Sequence, residues 1–98
     1  MSLPIVLRPE ARDDLLQARD WYERQSAGLG TVFEQKVDQL LARIEAMPGL
    51  YAVTFQAVRP AKLRKFPYVL YCRMLTDRIE VLAILHGGRD PRVWQRRI

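Results

Sequence analysis

The chain has 98 residues, 49% of them apolar and 28% charged, with a net charge of +5 and a single cysteine. That length suits one domain with one modest core, expected over residues 1–98, and the apolar share excludes a disordered chain. One cysteine excludes an internal disulfide and a cysteine-based zinc site, and no apolar run approaches the roughly 18 residues of a membrane span.

Residues 3–7 are apolar but too short for a signal peptide, and they contain Pro4. Met1-Ser2-Leu3 reads equally as a native start or a cloning remnant. Ile5-Val6-Leu7-Arg8 reads as a short strand. Pro9 then suits a first helical position, and Glu10, Asp13 and Asp14 place negative charge where the helix dipole favours it. Ala11, Leu15, Ala18 and Tyr22 recur at helical spacing, widened by Leu16 and Trp21, so a helix is expected over about 10–25. Residues 26–30, S-A-G-L-G, break it. Leu29, Val32, Phe33, Val37, Leu40, Leu41 and Ile44 carry a second helix to Ala46, stopped by Pro48-Gly49. So short a connection implies an antiparallel hairpin.

Residues 50–60 read as either a loop or an extra strand. Residues 61–66 read as a strand, loosely alternating and basic at Lys62, Arg64 and Lys65. After Pro67, residues 68–75 are strand-like, with Leu70, Cys72 and Met74 on one face and Tyr71 and Arg73 on the other. Arg64 is a candidate neighbour of Arg73 if the register allows. Cys72 reads as a small core residue, which suits a reducing cytoplasm. Residues 78–86 are apolar on both faces after Glu80, as in a central strand. Helices first and strands afterwards argue α+β: a short strand, a helical hairpin, then an antiparallel meander of about three strands.

Charge divides along the chain. Residues 1–50 hold 6 Lys/Arg and 8 Asp/Glu, net −2, whereas residues 51–98 hold 10 and 3, net +7. The second half is therefore where an acidic partner or polyanion should dock, unless it is a solvated face. Its last strand runs into I-L-H-G-G-R-D-P-R-V-W, residues 84–94, where His86 is the only histidine. A histidine there reads as a hydrogen-bonded turn residue, a general acid or base, or a partner contact. Asp90 can cap a short helix over 91–96. Arg89 is open between a local ion pair and a functional contact, while Arg92, Arg96 and Arg97 read as mostly solvated. Trp94 can pack on the domain or stack on a base.

The basic strand, F-P-Y-V-L-Y-C-R and D-R-I-E-V-L-A-I-L-H-G-G-R-D-P, set after a helical hairpin, resembles the RelE/ParE superfamily of type II toxin–antitoxin modules. The resemblance runs from about Ile5 to Trp94, and its specific part is Lys62 to Pro91. It implies the α+β fold above and a small cytoplasmic toxin that forms a hetero-oligomer with a cognate antitoxin. It implies one of two activities. RelE-like members are ribosome-dependent mRNA endonucleases, and ParE-like members bind DNA gyrase. No metal, cofactor or membrane is implied.

Metal-free RNA cleavage needs a base, an acid and cations. Arginine supplies only the cations. A nuclease would draw on His86, Tyr71, Arg73 and Lys65, with Tyr68 and Glu80 as weaker proton carriers. RelE-like nucleases usually carry a tyrosine or histidine near the C-terminus, and R-D-P-R-V-W-Q-R-R-I has neither. The ending is closer to ParE-like plasmid stabilisation proteins, which favours a gyrase-binding toxin with no chemistry of its own. Its target or antitoxin surface is expected at Lys62, Arg64, Arg73, Arg89, Arg92 and Trp94. A non-toxic family member serving as antitoxin partner and co-repressor is the remaining alternative.

Overall fold

The computed structural model describes residues 3–98; Met1 and Ser2 lie outside the described residues. β1 (Ile5–Leu7) leads into α1 (Pro9–Gln25) and α2 (Leu29–Ala46). Two 3-10 turns, Pro48–Leu50 and Phe55–Ala57, cross residues 47–58 to β2 (Arg59–Lys62), β3 (Tyr68–Met74), β4 (Ile79–His86) and α3 (Arg92–Gln95). The sheet order is β1-β4-β3-β2. β2, β3 and β4 form the expected antiparallel meander, and β1 adds to β4 in parallel.

The hairpin forms where its helical stripes require. Ala11, Leu15 and Ala18 of α1 and Phe33, Val37, Leu40 and Ile44 of α2 are buried together against Leu70, Cys72, Ile79, Val81 and Ile84 of the sheet. Aromatic rings fill the hairpin end, with Phe33 5.3 Å from Tyr22, 5.1 Å from Phe66 and 5.2 Å from Tyr68. Gly28 turns the chain at φ +87°, a conformation that suits glycine. Gly30 lets the helices close, since a Cβ there would lie 2.6 Å from the Arg19 carbonyl oxygen. The first N–H groups of α2 donate to a residue of α1: the Glu23 carboxylate accepts from Gly28 at 2.8 Å and Gly30 at 2.9 Å.

A second, smaller cluster lies on the other sheet face. Val58, Leu82, Ala83 and Leu85 are covered there by Trp94. The switch between faces is a β-bulge: Tyr71 pairs with Ala83 but Cys72 pairs with Val81. Leu82 is the extra residue, so side-chain parity reverses across it. Val81 faces the hairpin before the bulge and Ile84 faces it after, while Leu82 joins the outer cluster.

Several expectations change. The basic strand over 61–66 ends at Lys62, because Leu63 to Pro67 form the turn, with Lys65 at φ +70°. Met74 is exposed, while Leu70 and Cys72 of the same face are core. Arg97 is not solvated. Its guanidinium grips Asp14 at 2.6 and 3.3 Å and donates to the Leu82 carbonyl at 3.1 Å. Asp14 Oδ2 also accepts from the Ile84 N–H at 3.0 Å, finishing an edge of β4 that β1 leaves bare beyond Val81.

Candidate functional site

β1 covers β4 only from Ile79 to Val81. Past that point α1 overhangs the bare edge and leaves a groove of about 560 Å³. Trp21, Tyr22 and Gln17 of α1 form one wall, and Tyr68, Ile84, His86 and Arg89 form the other. Trp21 belongs to the apolar side of α1 but stays 49% exposed, in edge-to-face contact with Tyr22 at 5.1 Å between ring centroids. A half-exposed tryptophan beside a groove that no strand fills is the form of an anchor point for another chain.

His86 stands at the end of β4 and opens on this groove, opposite Tyr68 in the register and 5.7 Å from its ring. Its Nδ1 accepts a hydrogen bond from the Gly88 N–H at 3.0 Å, so that lone pair holds the turn and Nε2 remains for other contacts. The Tyr68 phenol is held above its ordinary pKa chiefly by burial, with Arg89 opposing the shift and Asp14 adding to it. It is therefore a neutral hydrogen-bonding group near pH 7.

The other candidates disperse. Tyr71 lies on the opposite face, stacked on Trp94 at 4.7 Å and 17°. Burial raises its pKa, opposed by Trp94. Of the two roles open to Trp94, packing on the domain is the one it takes: it is 6% exposed, covers the outer cluster with Phe55 edge-on at 6.2 Å, and is not part of an exposed binding surface. Its apolar ring finds more contact there than in solvent. Arg73 pairs with Glu80 at 3.0 Å, in cross-strand register with it. His86 is in register with Tyr68, five residues along β3, or about 17 Å away at strand rise. Arg64 does not neighbour Arg73, because β2 ends before it and Arg59 occupies the position opposite Cys72.

Lys62, Arg64 and Lys65 are exposed around the β2–β3 turn. Arg89 is exposed at the groove rim. Arg92 folds back on Asp90, Nη2 to Oδ2 at 2.7 Å. Asp90 Oδ1 also accepts from the Arg92 N–H at 3.0 Å at the start of the terminal helix, which spans only Arg92–Gln95 and has Pro91, not Asp90, at its N-cap. These bonds from Arg92 hold the Asp90 carboxyl below its ordinary pKa. Among the described residues no group of three or more His, Cys, Asp or Glu is placed to hold a metal, and no helix is long and apolar enough to cross a membrane.

Sequence reasoning missed Trp21 and the Asp14–Arg97 pair. Trp21 fitted the apolar stripe of α1, and its exposure depends on how short β1 is. Asp14 and Arg97 are 83 residues apart.

The family described as "ParE toxin of type II toxin-antitoxin system, parDE" matches residues 5–91. Toxin ParE2 of Mycobacterium tuberculosis, in strains CDC 1551 / Oshkosh and H37Rv, is 30% identical over 80 residues, covering 81% of this chain and 76% of that protein. A solved structure titled "Chromosomal ParDE TA system from P. aeruginosa" superposes with a TM-score of 0.72 at 18% identity, over 87% of this chain and 96% of that one. It shares the fold. With the helical hairpin and meander described above, the family match over 5–91 establishes that this chain belongs to the ParE toxins of type II toxin–antitoxin systems.

Proposed function

We propose that this ParE-type toxin acts by binding DNA gyrase and stalling it on cleaved DNA, and that a cognate antitoxin neutralises it in the cytoplasm. The observation that carries this reading is the dispersal of the leading nuclease candidates His86, Tyr71 and Arg73, although Tyr68 and Arg89 do line the groove with His86. Metal-free RNA cleavage requires a base, an acid and cations around one phosphate. Here His86 opens on the α1 groove, Tyr71 lies beneath Trp94 on the other face, and Arg73 is tied to Glu80. A toxin that works by binding needs no such convergence.

The groove suits the antitoxin. Trp21 and Tyr68 offer apolar anchors, the β4 edge past Val81 has no strand beside it, and Arg89 sits at the rim for an acidic residue. An extended or helical segment with apolar anchors and acidic flanks fits that chemistry. Trp21→Ala should weaken the antitoxin complex at least tenfold, measured by calorimetry. Added salt should reduce its affinity if charge dominates, whereas a flat response would assign the binding to the apolar anchors.

The direct test incubates folded, antitoxin-free toxin with gyrase, ATP and plasmid. Trapped cleaved DNA and lost supercoiling at near-stoichiometric toxin are expected. No effect would overturn the gyrase reading. Programmed ribosomes with wild-type and His86→Ala protein would then test mRNA cleavage.

A further inference from the structure

We propose that a cation saddle between α2 and the end of β2 holds the phosphodiester backbone of duplex DNA. This inference rests on the gyrase reading, in which DNA is the second component of the inhibited complex.

The saddle is a shallow depression whose charged lining is Lys36 and Arg43 of α2 with Lys62 and Arg64 from the β2 side. Lys36 and Arg43 are seven residues apart on one helix face, about 10.5 Å along the axis. Leu40, between them and 4% exposed, is packed into the hairpin core and fixes that face toward β2. Gln39 is the remaining lining residue, so no carboxylate lines the depression.

These four are set apart by lining one depression together without an acid, since Arg12, Arg24, Arg59, Lys65, Arg89 and Arg96 are likewise without a carboxylate partner among the described residues. Arg8, Arg19, Arg73, Arg78, Arg92 and Arg97 each pair with a carboxylate. Among the described residues Lys36, Arg43, Lys62 and Arg64 form no such pair. Three uncompensated charges on α2 and β2, with Arg64 from the turn that follows β2, create a local positive field. Phosphates of one strand recur roughly every 3.4 Å of duplex axis and lie farther apart along the winding backbone, so the Lys36–Arg43 separation suits contacts to phosphates one or two steps apart.

The saddle also lacks what a protein partner would need. Its one apolar lining residue is already buried in the core, leaving no pocket for an anchor side chain. Apolar anchor points lie instead in the α1 groove, which is walled by different elements. Charge without an apolar floor suits a phosphate backbone, which positions a protein without reading sequence.

The test measures anisotropy of a labelled 20-bp duplex with the full-length, antitoxin-free protein across a salt series. Affinity should fall log-linearly with salt, with a slope of about −3 to −4 for four phosphate contacts. Lys36→Gln/Arg43→Gln should reduce that slope by about 2 and weaken binding at low salt at least tenfold. Lys62→Gln/Arg64→Gln should do the same and guards against a folding defect in the first variant. Arg12→Gln/Arg24→Gln, an equal charge loss on exposed positions of α1, should change affinity less than threefold. Equal losses in all three variants would overturn the saddle in favour of diffuse charge. A Glu-rich peptide competing as well as DNA at matched charge would overturn the phosphate assignment. Wild-type gyrase inhibition, assayed in parallel, separates the two readings. DNA binding that depends on the saddle without gyrase inhibition breaks only the gyrase reading, whereas inhibition unchanged when Lys36→Gln, Arg43→Gln, Lys62→Gln and Arg64→Gln are combined breaks the saddle.

Discussion

The two faces of the sheet share the same strands but are covered by very different amounts of chain. On one face two helices, of 17 and 18 residues, bury a continuous apolar layer that includes Phe33, Val37, Leu70 and Ile84. On the other, one tryptophan, Val58 and the crossing chain cover Leu82, Ala83 and Leu85. The hairpin face is supported by helical periodicity over many positions. The outer face depends on a single large ring placed by a four-residue helix. Local repetition therefore makes the first face robust, and long-range placement makes the second fragile.

Several measurements would break or sharpen that contrast. The largest loss is expected from Phe33→Ala. Its ring touches three aromatics, so the cavity should cost about 4 kcal/mol in urea denaturation. Trp94→Ala should cost somewhat less, about 3 kcal/mol, because the loop at Phe55 can relax into the space. It should also bring the Tyr71 phenol back toward its ordinary value in an absorbance titration, since burial is what raises it. A Trp94→Ala loss exceeding that of Phe33→Ala would reverse the ranking of the two faces.

Next is the tail. Arg97→Ala leaves Asp14, whose side chain is only 10% exposed, without its counter-ion, and should cost about 2 kcal/mol. Hydrogen exchange at the Ile84 amide should accelerate well beyond the global change, because its acceptor loses its anchor. Uniform acceleration across the domain would mean that the pair does not secure this edge.

A smaller effect concerns pH. Burial pushes the Cys72 thiol from 9.0 up to about 11, and burial raises Tyr22, Tyr68 and Tyr71 above 10.0. The folded state thus holds these protons more tightly than the unfolded chain. Stability is full below about pH 9 and is lost as pH rises through the folded values. Melting temperature should therefore fall between pH 9 and 11, less steeply in Cys72→Ala. An unchanged slope would remove the thiol from this response. Smallest of all, Arg92→Ala should leave the melting temperature unmoved, because its pair with Asp90 is a local surface contact.

The elements that recur at short range were legible. Helices expected at about 10–25 and to Ala46 appear as Pro9–Gln25 and Leu29–Ala46, since periodicity and the breakers at Gly28 and Pro48 are local signals. The core role of Cys72 was legible for the same reason. The β4 bulge was not. Leu82, Ile84 and His86 alternate in sequence, but the extra residue places Leu82 on the outer face, and nothing in that apolar run marks where parity changes. Tyr71 and His86 could therefore be imagined together when a sheet separates them.

Composition and periodicity were enough for the α+β class, the hairpin, the meander and a basic second half, because each rests on residues close in the chain. The motifs from Lys62 to Pro91 were enough for the family. Tertiary structure alone decided that β1 stops short and leaves a groove at Trp21, that Arg97 returns to Asp14, that Trp94 is core, and that four basic residues from α2, β2 and the β2–β3 turn share one depression. Each of these joins groups far apart in sequence. Contacts of that kind are set by register, bulges and chain crossing, which a local pattern does not encode.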